Sequence, residues 1–339
     1  MSRTGKPLPL AVSLGDPAGI GPEIIVRSWL TRKEQGLAPF SIVGGSKILR
    51  GAARALNATC PIEPIFSLSE AVEVFDRALP VLGDGDADYS PGLPDEAGAR
   101  LAHSSLQQAT ALAVKQEAAA VVTAPVSKIL LEQVGFDHPG QTEFLAAACG
   151  LHESSAVMML AGPSLRAVPL TVHCALADVP ALLSTDLIVK RGRTVAAALT
   201  RDFGIDRPRI AVTGLNPHAG EEGKFGVEDQ EIIAPAVAQL VSEGIAATGP
   251  HPADALFSPH SRSKFDVALC MYHDQALIPV KALDFDQGVN VTIGLPIIRT
   301  SPDHGTAFDI AGKAIADPGA MIAAIRMAGE MASRRAAHG

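Results

Sequence analysis

The sequence predicts an α/β protein whose mostly parallel sheet is covered by helices on both faces and divided between two domains. Three observations carry this. Short unbroken runs of Val, Ile, Leu and Ala alternate with helix-like segments along most of the chain, the rhythm of βαβ units whose strands are buried on both faces. The chain has 339 residues, more than twice the ~100–150 usual for one domain. One stretch breaks the rhythm: "SAVMMLAGPSLRAVPLTVH" joins two apolar runs through Gly162, Pro163 and Ser164. That is a hairpin signal, and so an antiparallel part within the sheet.

The elements follow in order. "PLAVSLG" reads as a strand, and "GPEIIVRSWLTRK" as a helix with Pro22 at its first position, where a missing N–H costs least. "FSIVGG" leads into "SKILRGAARAL", and "AAAVVTAPVS" into "KILLEQV". "PRIAVTGLNP" leads through a Gly-rich loop into "DQEIIAPAVAQLVSEG", and "FDVALCMYH" into "DQALIPVKAL". The Pro/Gly-rich stretch 83–98 reads as a loop, with a helix beginning near Asp95. The start, "MSRTGKPLPLAVSLGDP", sets basic residues before an apolar run, as a signal peptide does. The run is short and ends in "GDP" rather than at a small-residue cleavage site, so it reads as the first strand.

Composition excludes several classes. Hydrophobic residues make up 47% and charged residues 19%, which describes a folded chain with a sizeable core. The net charge of −8 and the lack of a Lys/Arg cluster offer no face to nucleic acid, so an anionic ligand must be held by a few local cations. No apolar run approaches the ~20 residues of a membrane span. The four cysteines are far apart and form no C-x-x-C pair, which argues against a zinc–thiolate cluster and for a reducing compartment. A soluble, cytoplasmic protein is expected.

Three of the ten histidines share one context. His173 ends "AVPLTVH", His218 ends "IAVTGLNPH", and His273 ends "VALCMYH". Each follows an apolar strand on its carboxyl side, where open α/β sheets bind ligands. Three neutral imidazoles make a common set for a divalent metal and leave positions open for substrate. Asp274 reads as a proton-transfer group or an orienter of His273, or as the N-cap of the helix that follows. Lys281 lies about two helical turns beyond His273 on the same general face. Asn290 in "GVNVTIG" and Arg299 in "PIIRTS" are suited to an anionic ligand, Arg through its forked donors. "GQTEFLA" sets Gln141 and Thr142 at a helix start, with Thr142 a plausible cap, and helix N-termini also receive anions. Two Gly-rich loops, 15–23 and 214–229, let backbone approach a ligand closely; neither is a G-x-G-x-x-G.

The motifs "GDPAGIGPE", "VVTAPVSK", "GQTEFLA", "LNPHAGEEGKFGVED", "MYHDQALIPVK" and "GVNVTIGLPIIRTSPDHGTAFDIAGK" stand in one order along nearly the whole chain. Together they resemble the 4-hydroxythreonine-4-phosphate dehydrogenase family of vitamin B6 biosynthesis. "GDPAGIGPE" and "DHGTAFDIAGKAIADP" (303–318) also resemble segments of the isocitrate and isopropylmalate dehydrogenases. The resemblance implies a two-domain α/β/α fold of the isocitrate/isopropylmalate dehydrogenase type. A cofactor-side domain would comprise 1–125 and 290–339, a substrate, metal and dimerisation domain 126–289, and the active site the cleft between them. It implies a homodimer that shares a divalent metal (zinc, magnesium or cobalt) between subunits, with His173, His218 and His273 as ligands. It implies substrate contacts from Gln141, Thr142, Lys281, Asn290 and Arg299, and an NAD or NADP site at Gly305, Thr306 and Asp309, where Asp309 would meet the adenosine ribose.

Gln141 departs from the family's usual His before Thr-Glu; it can donate a hydrogen bond but carries no charge. The implied reaction oxidises 4-phosphohydroxy-L-threonine to 2-amino-3-oxo-4-phosphooxybutanoate, which loses carbon dioxide to give 3-amino-2-oxopropyl phosphate. Asp274 and Asp254 are the candidate bases. Gln141 keeps open a sister activity on a phosphorylated sugar acid such as 4-phosphothreonate or 4-phosphoerythronate, while "GVNVTIG" and "IIRTS" speak against a dihydrodiol. An acyl- or phosphotransferase would not need clustered imidazoles, and a two-lobed solute-binding protein would need an export signal.

Overall fold

A computed structural model describes residues 8–338; the basic residues Arg3 and Lys6 of the signal-like start lie outside them. The chain gathers into two compact units, one comprising residues up to Ala156 with Leu295–Ala337 and the other Val157–Gly294. The strands among the described residues, in chain order, are β1 (Leu10–Ser13), β2 (Phe40–Val43), β3 (Ile62–Ile65), β4 (Leu79–Leu82), β5 (Val121–Thr123), β6 (Val157–Ala161), β7 (Arg166–Thr171), β8 (Ile210–Thr213), β9 (Ala247–His251), β10 (Val267–Tyr272), β11 (Val289–Ile293) and β12 (Arg299–Pro302).

In the first unit the strands run β3-β4-β2-β1-β5-β12, and every pairing is parallel. β1 and β2 are buried along their whole length, which is why they read as unbroken apolar runs rather than as alternation. Pro64 is confined to the edge strand β3, where its missing N–H interrupts no inner ladder. Helix Gly21–Leu30 starts with Pro22 in its first turn, as predicted. Helix Glu96–Val114 begins where Asp95 Oδ1 accepts the Gly98 N–H at 2.7 Å, a cap that contributes about 1 kcal/mol. Its buried residues Ala99, Ala102, Leu106, Ala109 and Ala113 recur at helical spacing, and the four alanines let the helix lie close on β1 and β5.

The sequence reading placed the domain boundary at 125/126. In the structure the segment 126–156 packs into the first unit instead. Leu131, Phe136, Phe144 and Leu145 join Leu106, Ala109 and Leu295 in one apolar cluster. At the other boundary, β11 pairs antiparallel with β6, and so Val289–Ile293 belong to the second unit.

In the second unit the order is β11-β6-β7-β10-β8-β9. β6 and β7 form the expected antiparallel hairpin, with Leu160 opposite Ala167. Its turn is closed by buried Asp284, whose Oδ2 accepts the Ser164 N–H at 2.9 Å; a Cβ on Gly162 would stand 2.2 Å from that oxygen. β7, β10, β8 and β9 are parallel. Helix His273–Asp284 lies over β7 and β10. Its Ala276, Leu277 and Val280 join Leu160, Ala167, Phe265, Ala268 and Cys270 in a second core, where each buried Leu or Val contributes about 1.5–3 kcal/mol. The helix expected from "DQEIIAPAVAQLVSEG" opens with a π-helical turn, Asp229–Ile233, before the α-helix Ala234–Ser242; Pro235 cannot donate to the preceding turn, which suits the wider winding. No helix among the described residues is long and apolar enough to cross a membrane, and the four cysteines are free thiols.

Candidate active site

β8, β10 and β7 are adjacent and parallel, so their carboxyl ends share one edge of the sheet. His273 follows β10 directly as the first residue of helix His273–Asp284. His173 lies two residues beyond β7, and His218 lies in the Gly-rich turn beyond β8. His173 and His218 both adopt left-handed backbone, at φ 50° and 53°. That conformation is uncommon for a residue with a side chain, and it concentrates at functional sites. The rings of His173 and His273 lie 6.1 Å apart between centroids. With Thr171, Tyr272, Asp274 and Leu176 they line a cavity of about 320 Å³. His218 is not among the residues that line it; its ring lies 6.3 Å from that of Phe225. Among the described residues no three His, Cys, Asp or Glu side chains are placed to hold one ion. One chain therefore brings together two of the three expected imidazoles.

Asp274 does not cap its helix. The N-cap is Tyr272, and no side chain fills that role. Instead the His273 Nδ1–H donates to Asp274 Oδ1 at 2.7 Å, because an ionised carboxylate can only accept. This fixes the tautomer and leaves the Nε2 lone pair free, the arrangement in which imidazole binds a metal. Asp254 is exposed on the short helix Ala253–Leu256, which packs against the turn 217–220 that carries His218.

Lys281 shares its helix with His273 and is exposed. Asn290 lies on β11, and its Oδ1 is buried without a hydrogen-bond partner. A buried acceptor left in that state costs about 1–3 kcal/mol and suits a ligand donor.

In the first unit, Arg299 opens β12 in register with Val121. Its side chain is 4% exposed. Nη2 donates to Thr123 Oγ1 at 2.8 Å, at the carboxyl end of β5, and to Gln141 Oε1 at 3.0 Å. Burial pushes the guanidinium down to about 10, still cationic at neutral pH but short of the solvation an anion would restore. Gln141 begins helix Gln141–Ala148, and the N-cap is Gly140, so Thr142 sits in the first turn and does not cap.

Within this unit the Gly-rich loop 15–23 meets the segment 303–318, which was expected to bind the cofactor. The Ile20 N–H donates to Thr306 O at 2.9 Å. A Cβ on Gly19 would stand 2.8 Å from the same oxygen. Arg27 Nη2 donates to Ala314 O. Buried Glu23 accepts the Gly312 N–H through Oε1, with the Tyr89 hydroxyl 3.4 Å away. Gly305 and Asp309 are exposed on this loop.

The sequence reading passed over four buried polar residues that brace Gly-rich loops, Asp16 and Glu23 at 15–23, and Asp229 and Gln275 at 214–229. Their only signal was a polar residue at a position that periodicity assigns to the inner face, as Gln275 beside Ala276 and Leu277. Asp16, 3% exposed, accepts the Ala18 N–H at 3.0 Å; burial, and the charge of Asp95, raise its pKa above the usual 3.8.

A doubly covered sheet with imidazoles at its strand ends, and a buried arginine reaching a strand end, defines an α/β enzyme that acts on a small anionic molecule. Its family is equally definite. Residues 37–328 match the profile of the pyridoxal phosphate biosynthetic protein PdxA, and the chain belongs to that family. It is 70% identical over 328 residues to a 4-hydroxythreonine-4-phosphate dehydrogenase of Erythrobacter litoralis (strain HTCC2594), covering 97% of this chain and 98% of that one. It is 51% identical to the 4-hydroxythreonine-4-phosphate dehydrogenase of Zymomonas mobilis subsp. mobilis, covering 97% of each chain. The crystal structure of 4-hydroxythreonine-4-phosphate dehydrogenase from Klebsiella pneumoniae superposes with a TM-score of 0.84 at 38% identity, over 96% of this chain and 99% of that one.

Proposed function

We propose that this protein oxidises 4-phosphohydroxy-L-threonine with NAD or NADP, yielding 2-amino-3-oxo-4-phosphooxybutanoate, which decarboxylates to 3-amino-2-oxopropyl phosphate. The likeness to the two dehydrogenases supports the reaction. The substrate class rests on the burial of Arg299, whose forked donors suit a phosphate or carboxylate. Thr142, Lys281, Asn290 and Gln141 are proposed to hold the remaining polar groups of the substrate.

The donor set fits a divalent metal in its chemistry: His173 and His273 lie side by side, and Asp274 leaves Nε2 of His273 as a free donor. His173, His218 and His273 would hold zinc, magnesium or cobalt, with the set completed across a homodimer. Leu176, Ile278 and Phe285 are 67%, 63% and 75% exposed in the same unit, apolar surface that a second copy would cover. The ion would supply Lewis acidity at the substrate's secondary alcohol. Asp274 is committed to His273 and acts as its orienter. Asp254, beside the His218 turn and free in the sense of being exposed, is the candidate to take the alcohol proton. Gly305, Thr306 and Asp309 are proposed to meet the dinucleotide, with Asp309 on the ribose.

The test is a substrate panel read by the absorbance of reduced cofactor, with and without a chelator. Turnover of 4-phosphohydroxy-L-threonine that the chelator abolishes is expected. Turnover confined to 4-phosphothreonate or 4-phosphoerythronate would replace this reading with the sugar-acid one, which Gln141 in place of the family's usual His keeps open. Turnover of neither would end both.

A further inference from the structure

The carboxyl ends of β7, β10 and β8 are tied together by a buried hydrogen-bond chain centred on Gln275. Its Oε1 accepts from the Met271 N–H at 2.8 Å and from Thr213 Oγ1 at 2.7 Å. Its Nε2 donates to Gly214 O at 2.8 Å. Met271 lies just before His273 and Gly214 at the entry to the His218 turn, so one amide spans both. The Thr171 hydroxyl donates to Met271 O at 2.9 Å, which links the strand that leads to His173. Asp229 holds the far side of the turn. It accepts from Leu215 N at 2.9 Å, Asn216 N at 3.2 Å and Asn216 Nδ2 at 2.9 Å. Gln275, Thr171, Thr213 and Asp229 are all buried, none more than 8% exposed.

The chemistry selects a neutral amide at this centre. A carboxylate could accept from Met271 and Thr213 but could not donate to Gly214 O, and would face it with like charge. An apolar side chain would strand the Met271 N–H and leave the fully buried Thr213 hydroxyl only the longer contact to Leu269 O at 3.4 Å.

We propose that Gln275 is a positioning residue that fixes the spacing of the three strand ends bearing His173, His218 and His273, and thereby presets the imidazoles that each chain contributes to ion binding. The proposal rests on the reading of those histidines as metal ligands. It requires no contact between Gln275 and the ion.

The test uses metal-free full-length protein titrated with cobalt(II), read by its visible absorption, and hydrogen exchange of residues 214–221 in the same metal-free protein. Gln275→Glu is expected to weaken cobalt binding by about 10–100-fold, the range for groups that orient metal ligands. It should also quicken exchange in 214–221 and leave helix Glu96–Val114 unchanged. Thr171→Val, which removes only the link to Met271, should weaken cobalt binding less and serves if Gln275→Glu does not fold. Native affinity and native exchange in the variant that folds would overturn the proposal. His218→Ala separates the two readings: if it binds cobalt normally, the metal assignment fails, and exchange in 214–221 alone decides whether Gln275 holds the turn.

Discussion

Arg299 Nη2 donates to Gln141 Oε1 at 3.0 Å, and the same nitrogen donates to Thr123 at 2.8 Å. A neutral amide acceptor beside a buried guanidinium holds it without repulsion, where a protonated imidazole would oppose it. Arg299→Ala removes a charged hydrogen bond worth about 1.5–3 kcal/mol, so KM for the phosphorylated substrate should rise roughly 10–150-fold. Gln141→Leu removes an orienting acceptor worth about 0.5–1.5 kcal/mol and should raise KM by roughly 2–13-fold. Steady-state kinetics measures both. An unchanged KM and kcat in Arg299→Ala would take Arg299 out of the site.

The histidines give a second prediction. His173→Ala, His218→Ala and His273→Ala should each lose bound metal and turnover together, as measured by elemental analysis and cofactor reduction. Asp274→Ala keeps all three imidazoles but frees His273 Nδ1, and should weaken metal affinity by about 10–100-fold. If Asp274→Ala binds metal normally but loses turnover, Asp274 is the base rather than the orienter.

Gly19 gives a third. Its missing side chain lets the 15–23 loop touch Thr306, whose carbonyl oxygen would stand 2.8 Å from an added Cβ. Gly19→Ala must displace backbone, at a cost of about 1–3 kcal/mol. If 303–318 is the dinucleotide loop, the Kd for reduced cofactor should rise roughly 5-fold or more, while KM for the substrate moves little. Fluorescence titration with NADH or NADPH measures it, and an unchanged Kd would separate this loop from cofactor binding.

Asp16 gives a fourth. Burial, then the charge of Asp95, raises its pKa above 3.8, against the pull of the Ala18 N–H. A carboxyl whose folded pKa is raised binds its proton more tightly when folded. Its stabilising contribution is complete below pH 3.8 and is lost as pH rises through the folded value. Asp16→Asn keeps an oxygen for Ala18 and removes the buried charge. Its Tm should exceed that of the parent at pH 7, and the difference should shrink as pH falls toward 3.8. A difference that grew on acidification would reverse the sign.

Much of this was legible beforehand because it depends on local pattern. The alternation of apolar runs and helices, the 162–164 turn and the helix that begins after Asp95 all rest on neighbours within a few residues, and all stand in the structure. Thr142 does not cap its helix, and the cap alternative for Asp274 falls, for the same specific reason. A cap is one residue at one backbone conformation, and the extended residue at each helix start stands two positions earlier, Gly140 and Tyr272. The segment 126–156 was assigned to the wrong side of a boundary because Leu131, Phe136, Phe144 and Leu145 declare themselves apolar without declaring their partners.

By itself the sequence determined the class of fold, the family, and the strand ends at which His173, His218 and His273 sit, because periodicity and motif order are properties of the chain. Only the tertiary structure decided that His173 and His273 stand together while His218 turns toward Phe225, that Arg299 leans on Gln141, and that Gln275 joins three strand ends. Those relations bring together residues up to 158 positions apart, as between Gln141 and Arg299. They are set by the lateral order of strands in the sheet and by the demand that every buried donor and acceptor find a partner, conditions that no window of sequence contains.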